Sequence, residues 1–132
     1  MRIYYLAISL LFIISCKPDL PVHVQLAYDS LPEQIDFNYH VKPILSDNCF
    51  ACHGPDKANQ KADLQLHDFT LAQKVAESGI PAIAPGKPFN SEAIKRILAE
   101  DEEIVMPPPD SHLSLTTREK AILIKWIEEG AE

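Results

Sequence analysis

Cys49 and Cys52 are separated by two residues, and His53 follows the second cysteine directly. Two sulfurs at this spacing can reach the two vinyl groups along one edge of a haem, and an imidazole in the same turn can reach the iron. The pattern Cys-x-x-Cys-His is typical of covalent attachment of a c-type haem. We therefore predict that Cys49 and Cys52 bind one haem through thioether bonds and that His53 is the proximal iron ligand.

Two other interpretations of the cysteine pair remain open at this point. A thioredoxin-like redox pair is expected near a strand–helix–strand unit, and no strand pattern surrounds Cys49. A zinc site needs a second pair of ligands, for which His67 and His112 are the available histidines. Two unused thiols in an exported protein are also unfavourable. The pattern therefore favours haem attachment over both alternatives.

Met106 is the best candidate for the second axial ligand. The only other methionine is Met1, which lies in a predicted signal segment. Met106 stands in a proline-rich segment after His53, and cytochromes c commonly pair a thioether with a histidine, which raises the potential. The alternative is that Met106 only fills a gap in the core. Three histidines are the fallback ligands: His40, His67 and His112.

The first sixteen residues resemble a bacterial lipoprotein signal. Arg2 provides the positive start, and an apolar run from Ile3 to Ile14 follows, too short to span a bilayer. A small residue, Ser15, then precedes Cys16, which we predict to be lipidated. The remaining two cysteines belong to the haem motif, so none is left for a structural disulfide. We expect an extracytoplasmic protein that is anchored to a membrane through Cys16.

The rest of the chain divides into two predicted parts. Residues 17–35 contain Pro18, Pro21 and Pro32, which favours an extended tether that lifts the domain off the membrane. Residues 36–132 show helical periodicity with no convincing strand. A helix with Asp36 as N-cap is predicted to lead into Cys49, with a kink or break at Pro43.

Three further helices are predicted along this domain. One covers Phe69 to Ser78, and another begins near Asn90 or Ser91. The last follows a capping box that pairs Thr116 with Glu119. The predicted fold class is therefore all-α, a small helical bundle around one covalently bound haem.

Composition excludes some functions. The formal net charge is -7, so a nucleic acid partner is not expected, because binding to phosphates needs clustered Lys and Arg. The acidic surface suits either simple solvation or docking to a basic redox partner. There is no Ser-His-Asp arrangement, phosphate-binding loop or plausible carboxylate pair, so we do not expect an enzyme.

Residues from about Asp36 to Ala131 resemble the Planctomycete-type cytochrome c domain, a relative of class I cytochromes c. The resemblance is carried by segments in matching order and spacing. These are Phe37, Val41–Asp56, Ala62–Leu64, Pro85–Pro88, Ser91, Arg96–Ile97, Met106–Pro108, Leu115–Thr116 and Trp126–Ala131. The chain departs from the family at Gln65–Asp68, where an Arg followed by Asp is usual. This departure affects contacts near the haem rim rather than ligation.

The resemblance implies a helical cytochrome c fold with Cys49 and Cys52 as thioether sites, His53 as proximal ligand and Met106 as distal ligand. It also implies an extracytoplasmic location. The expected function is single-electron transfer between redox donor and acceptor proteins. One alternative is a haem-based ligand sensor or peroxidase-like module, which would require an open sixth position. Another is a structural haem-binding module that locates a partner enzyme at the membrane.

Overall fold

Short helices make up the regular structure of the computed structural model, which describes residues 19–76 and 78–132. The α-helices in these ranges are α1 (Val22–Asp29), α2 (Lys42–Asn48), α3 (Phe50–His53), α4 (Phe69–Ala72), α5 (Glu92–Ile97) and α6 (Thr117–Glu128). Within the same residues, β pairing is limited to an isolated bridge between Val75 and Pro81. The predicted all-α class is confirmed. The predicted signal segment and Cys16 lie outside the described residues.

Helix α1 corrects the prediction of an extended tether over residues 17–35. It packs on α6, and its Val24 is completely buried. The Tyr28 hydroxyl donates a hydrogen bond to Glu128, and the Ile35 amide donates to Glu129 at 2.9 Å. The prediction is wrong for Val22–Asp29. Only the apolar surface of α6 makes a helix favourable here, because an isolated eight-residue helix is too short to be stable in water.

The hydrogen bond between Tyr28 and Glu128 should make the docking of α1 sensitive to alkali. Burial raises the pKa of the Tyr28 phenol, and the hydrogen bond and charge of Glu128 raise it further. A folded-state pKa above the unfolded value of about 10 means that the phenol stabilises the fold fully below pH ~10. This stabilisation is lost as the pH rises further and the phenol ionises.

We expect Tyr28→Phe to lower the free energy of unfolding by about 1 kcal/mol at neutral pH, the usual contribution of one such bond. Denaturant titrations at neutral and alkaline pH measure this, and the variant should lose less stability than the wild type above pH ~10. Tyr39→Phe is the matched control, since the Tyr39 side chain is 79% exposed. Equal losses in the two variants would contradict the prediction.

The segment that leads into the haem motif folds as predicted. Asp36 caps it by accepting a hydrogen bond from the Tyr39 amide at 2.7 Å. A π-helical turn, Phe37–Val41, comes first, and α2 begins at Lys42 with Pro43 in its first turn. The change from π-helical to α-helical structure falls next to Pro43, which is tolerated in the first turn of a helix because its missing amide hydrogen would have no partner there.

The helix predicted from Phe69 to Ser78 is much shorter, because α4 ends at Ala72. Val75, inside the predicted range, is 68% exposed, and its backbone pairs with Pro81 instead. The Ile83 amide donates to the Ala72 carbonyl at 3.0 Å, so the chain returns at the point where the helix stops. Helical periodicity over so short a segment was overridden by this tertiary contact.

The last two helices form where they were predicted. Helix α5 starts directly after Ser91, whose buried hydroxyl accepts from the Ala84 amide at 2.8 Å. Helix α6 begins with both hydrogen bonds of the capping box between Thr116 and Glu119. Gly130 follows its end with φ +113°, a conformation that favours glycine. No helix in the described ranges is long and apolar enough to cross a membrane.

Helix α6 forms the centre of the core. Its Trp126 is 1% exposed and packs against Phe37 and Phe69, with ring centroids 5.7 and 5.4 Å away. The indole nitrogen of Trp126 donates to the Glu132 carbonyl at 3.0 Å, so its one polar atom is paired. The aromatic cluster therefore holds the π-helical turn and α4 against α6.

Candidate haem-binding cavity

The first cysteine of the motif lies at the junction between α2 and α3, and the second cysteine and the histidine lie in the single turn of α3. The Cys49 amide donates to Leu45 at 2.9 Å and so continues α2. The Cys49 carbonyl then accepts from the amides of Cys52 at 3.2 Å and His53 at 2.8 Å. Both cysteines are free and partly buried. The turn therefore holds both thiols and the imidazole within one short stretch of rigid backbone.

The chain after His53 folds back over this turn. The Lys61 amide donates to the Cys52 carbonyl at 2.9 Å, and the Leu66 amide donates to the His53 carbonyl at 2.7 Å. Gly54 makes the return possible, since a Cβ there would lie 2.3 Å from the Phe50 carbonyl oxygen. The role of Gly54 was not predicted, and the signal for it in the sequence is a glycine directly after the histidine of the motif.

His53 is placed to act as a ligand in its neutral form. Its Nδ1 atom is buried and has no hydrogen-bond partner in the described structure. Burial lowers the pKa of the imidazole, and the nearby carbonyls of Lys61 and Leu64 act in the opposite direction. A neutral imidazole with one basic nitrogen is the form that binds metals.

All four predicted site residues line the same cavity of about 660 Å³: Cys49, Cys52, His53 and Met106. The rest of its wall is largely apolar. Residues of α2, α5 and α6 contribute to it, namely Leu45, Ile94, Ile97, Leu123, Trp126 and Ile127. The volume lies within the range of roughly 300–1,000 Å³ that is common for ligand and cofactor sites. The fold therefore brings residues far apart in sequence around one apolar space.

Met106 reaches this cavity from the segment between α5 and α6. Its amide donates to the Arg96 carbonyl at 3.1 Å, which ties the segment to the end of α5. Pro107 and Pro108 also line the cavity, and the Ser111 hydroxyl donates to the Pro108 carbonyl at 2.6 Å. The proline run therefore presents Met106 to the cavity from a short, restrained loop.

The three fallback histidines have other surroundings. His40 accepts a hydrogen bond from the Asp36 amide at 3.0 Å through Nδ1. His67 is exposed beside the Phe50 ring, and His112 is exposed in the turn that precedes α6. In the described part of the chain, none of the three lines the cavity. The geometry therefore favours Met106 over them as the second ligand.

Few charged residues line the cavity. Arg96 and Glu92 do so and form an ion pair at 2.9 Å, and Lys74 and Asp63 complete the set among the described residues. Lys57 and Lys61, which follow the motif in the sequence, are exposed and lie outside the cavity wall. The described residues also hold no group of three or more His, Cys, Asp or Glu side chains suited to a metal ion.

Comparison with known families agrees with this geometry. Residues 49–110 match the family model Planctomycete cytochrome C. The match to Planctomycete cytochrome C begins at the first cysteine of the motif and includes Met106, so the resemblance found in the sequence is confirmed over these residues. Cytochrome c domains carry electrons on haem. Searches of curated proteins and of solved structures found no match.

The residues of the segment that matches this family model fit a covalently bound haem. Two free thiols stand in the cavity wall, and the imidazole of His53, whose Nδ1 atom is buried, lines the same cavity. Burial raises the pKa of the Cys49 thiol to about 11, so in the unmodified chain this sulfur is a neutral thiol suited to an apolar surrounding. Both the shape and the donor set therefore suit the group.

Proposed function

We propose that the protein binds one haem c through Cys49 and Cys52 and transfers single electrons outside the cytoplasm. The observation that carries this proposal is the shared apolar cavity, whose wall contains both thiols, His53 and Met106. The family match over residues 49–110 supports it independently.

The roles of the four residues follow from their chemistry. Cys49 and Cys52 would hold the porphyrin, and His53 and Met106 would hold the iron from two separate segments of the chain. When bound, haem iron supplies a one-electron couple whose potential is raised by a Met/His ligand pair. Six-coordination by the protein favours an electron carrier over a ligand sensor or a peroxidase-like module.

The surrounding residues contribute rigidity and exclude water. Backbone hydrogen bonds restrain both segments that carry the proposed ligands. The Leu66 amide donates to the His53 carbonyl at 2.7 Å, and the Met106 amide donates to the Arg96 carbonyl at 3.1 Å. The apolar wall from α5 and α6 keeps the local dielectric constant low. Restrained ligands in such a site need little rearrangement when the charge of the site changes, which favours fast electron exchange.

The location is part of the same proposal. The apolar run from Ile3 to Ile14 and the Ser15-Cys16 pair support export followed by lipidation of Cys16. The protein would then be a membrane-anchored carrier that receives electrons from one protein and delivers them to another.

Expression of the full chain in a host with a haem-attachment system tests the proposal. The exported protein should carry the mass of one haem per chain and should stain for haem after denaturing electrophoresis. The reduced form should keep its absorption spectrum when carbon monoxide is added, because Met106 occupies the sixth position. A colourless product with the mass of the bare polypeptide would refute the proposed function.

A further inference from the structure

We propose that α1 lies directly against the lipid surface, with Val22 and Leu26 in the headgroup region, and that the haem cavity faces away from the bilayer. This inference rests on the proposed function, because it takes Cys16 as the lipidated residue. It replaces the arrangement expected from the sequence, in which a long tether separates the domain from the membrane.

The short reach of the chain between the anchor and the core is the first argument. Leu20 is already packed against the hydrophobic core, and Cys16 precedes it by only four residues. Four residues span at most about 14 Å, whereas a fully extended tether over residues 17–35 would reach roughly 60 Å. The polar zone of one leaflet is itself about 5–8 Å thick. The surface around Leu20 and α1 therefore cannot stand far from the lipid.

The outer face of α1 is the second argument. Val22 is 76% exposed and Leu26 is 67% exposed, and residues four positions apart lie on the same side of a helix. Val24, on the opposite side, is fully buried. Exposed aliphatic side chains are common when they occur singly, but this pair lies on the helix nearest to the predicted anchor. A bilayer surface would cover both side chains.

The charges on α1 show whether its contact with lipid would be electrostatic or apolar. The helix contains no Lys or Arg, and its Asp29 accepts a hydrogen bond from Gln25 at 2.7 Å. Attraction to anionic headgroups therefore cannot hold α1 at the surface. The contact should be apolar, so it should depend little on salt or on the charge of the lipid.

The position of α6 sets the direction of the cavity. One side of α6 packs against α1. On this side Glu128 accepts a hydrogen bond from the Tyr28 hydroxyl, and the Nζ atom of Lys125 lies 5.7 Å from the centre of the Tyr28 ring. The cavity is lined from another side of α6, by Leu123, Trp126 and Ile127. Helix α6 therefore stands between the lipid-facing helix and the haem site. A redox partner would approach the haem from the aqueous side.

A spin-label experiment on the lipidated, haem-loaded protein tests this arrangement. In Leu26→Cys the new cysteine is the one free thiol, because the other three carry lipid or haem in the proposed protein. The nitroxide-labelled variant is placed in phosphatidylcholine vesicles, and its collisions with oxygen and with a water-soluble nickel chelate are measured. We expect nickel accessibility several-fold lower than in the control, with no change when salt is added. Glu102→Cys is that control, an exposed site beyond α5.

The outcomes separate this inference from the proposed function. If the label at position 26 is as accessible to nickel as the label at position 102, in protein that is coloured and vesicle-bound, α1 does not contact lipid and the inference fails alone. Shielding that persists without vesicles and grows with protein concentration would show that a second copy covers α1, which also refutes it. A colourless or non-lipidated protein would refute the proposed function itself. Val22→Cys serves as a second site with the same expected result.

Discussion

The double variant Cys49→Ala/Cys52→Ala should lose all covalently bound haem. Cys49 and Cys52 are the only cysteines among the described residues, and both line the cavity. Without them no thioether bond can form, and the mass of the purified chain should equal that of the polypeptide. Haem staining after denaturing electrophoresis, together with intact mass, measures the loss.

Single variants separate the two attachments. Cys49→Ala and Cys52→Ala should each keep some stain, since one thioether bond still survives denaturation. Ala51→Ser is the matched control, because this exposed position lies in the same turn and carries no bond to haem. Full staining of the double variant would disprove covalent attachment at this motif.

Met106→Ala should keep the covalent haem but open the iron to small ligands. His53 and the two thioether bonds do not depend on this side chain, so the stained band should remain. The reduced protein should now bind carbon monoxide. The midpoint potential should fall by on the order of 100 mV, because axial ligands set haem potentials over a range of roughly 0.8 V. Absorption spectra with and without the gas, and a redox titration, measure these effects.

Two controls distinguish the effect of losing the Met106 sulfur from the effect of losing side-chain volume. Met106→Leu retains a large apolar side chain without a ligand atom, so it should behave as Met106→Ala does. Leu113→Ala removes bulk from the same cavity wall but leaves the thioether in place, so its reduced form should still ignore carbon monoxide. Axial ligation by Met106 would be disproved if Met106→Ala retained the wild-type spectrum and potential.

Local interactions explain which elements were predictable. The cap at Asp36, the change of helix type next to Pro43 and the capping box before α6 each depend on residues within one turn of one another. Such signals are complete in the sequence because no distant contact is needed to satisfy them. The motif from Cys49 to His53 belongs to this class, since all its groups lie on one turn.

Elements that depend on distant partners were not predictable in the same way. Helix α1 exists against α6, and Glu128 lies one hundred residues after Tyr28. Helix α4 stops early because the chain returns from Ile83 to Ala72. In both cases the local pattern was compatible with more than one conformation, and a long-range contact selected between them.

The sequence by itself determined the chemistry of this protein: two sulfurs and an imidazole on one turn, one internal methionine, and the helices that carry their own capping signals. Tertiary structure decided whether these groups meet. It placed Met106 in the same cavity as His53, and it docked α1 on α6 where the sequence predicted an extended tether. The reason is physical: bonding capacity resides in each side chain, whereas a cavity exists only between packed elements.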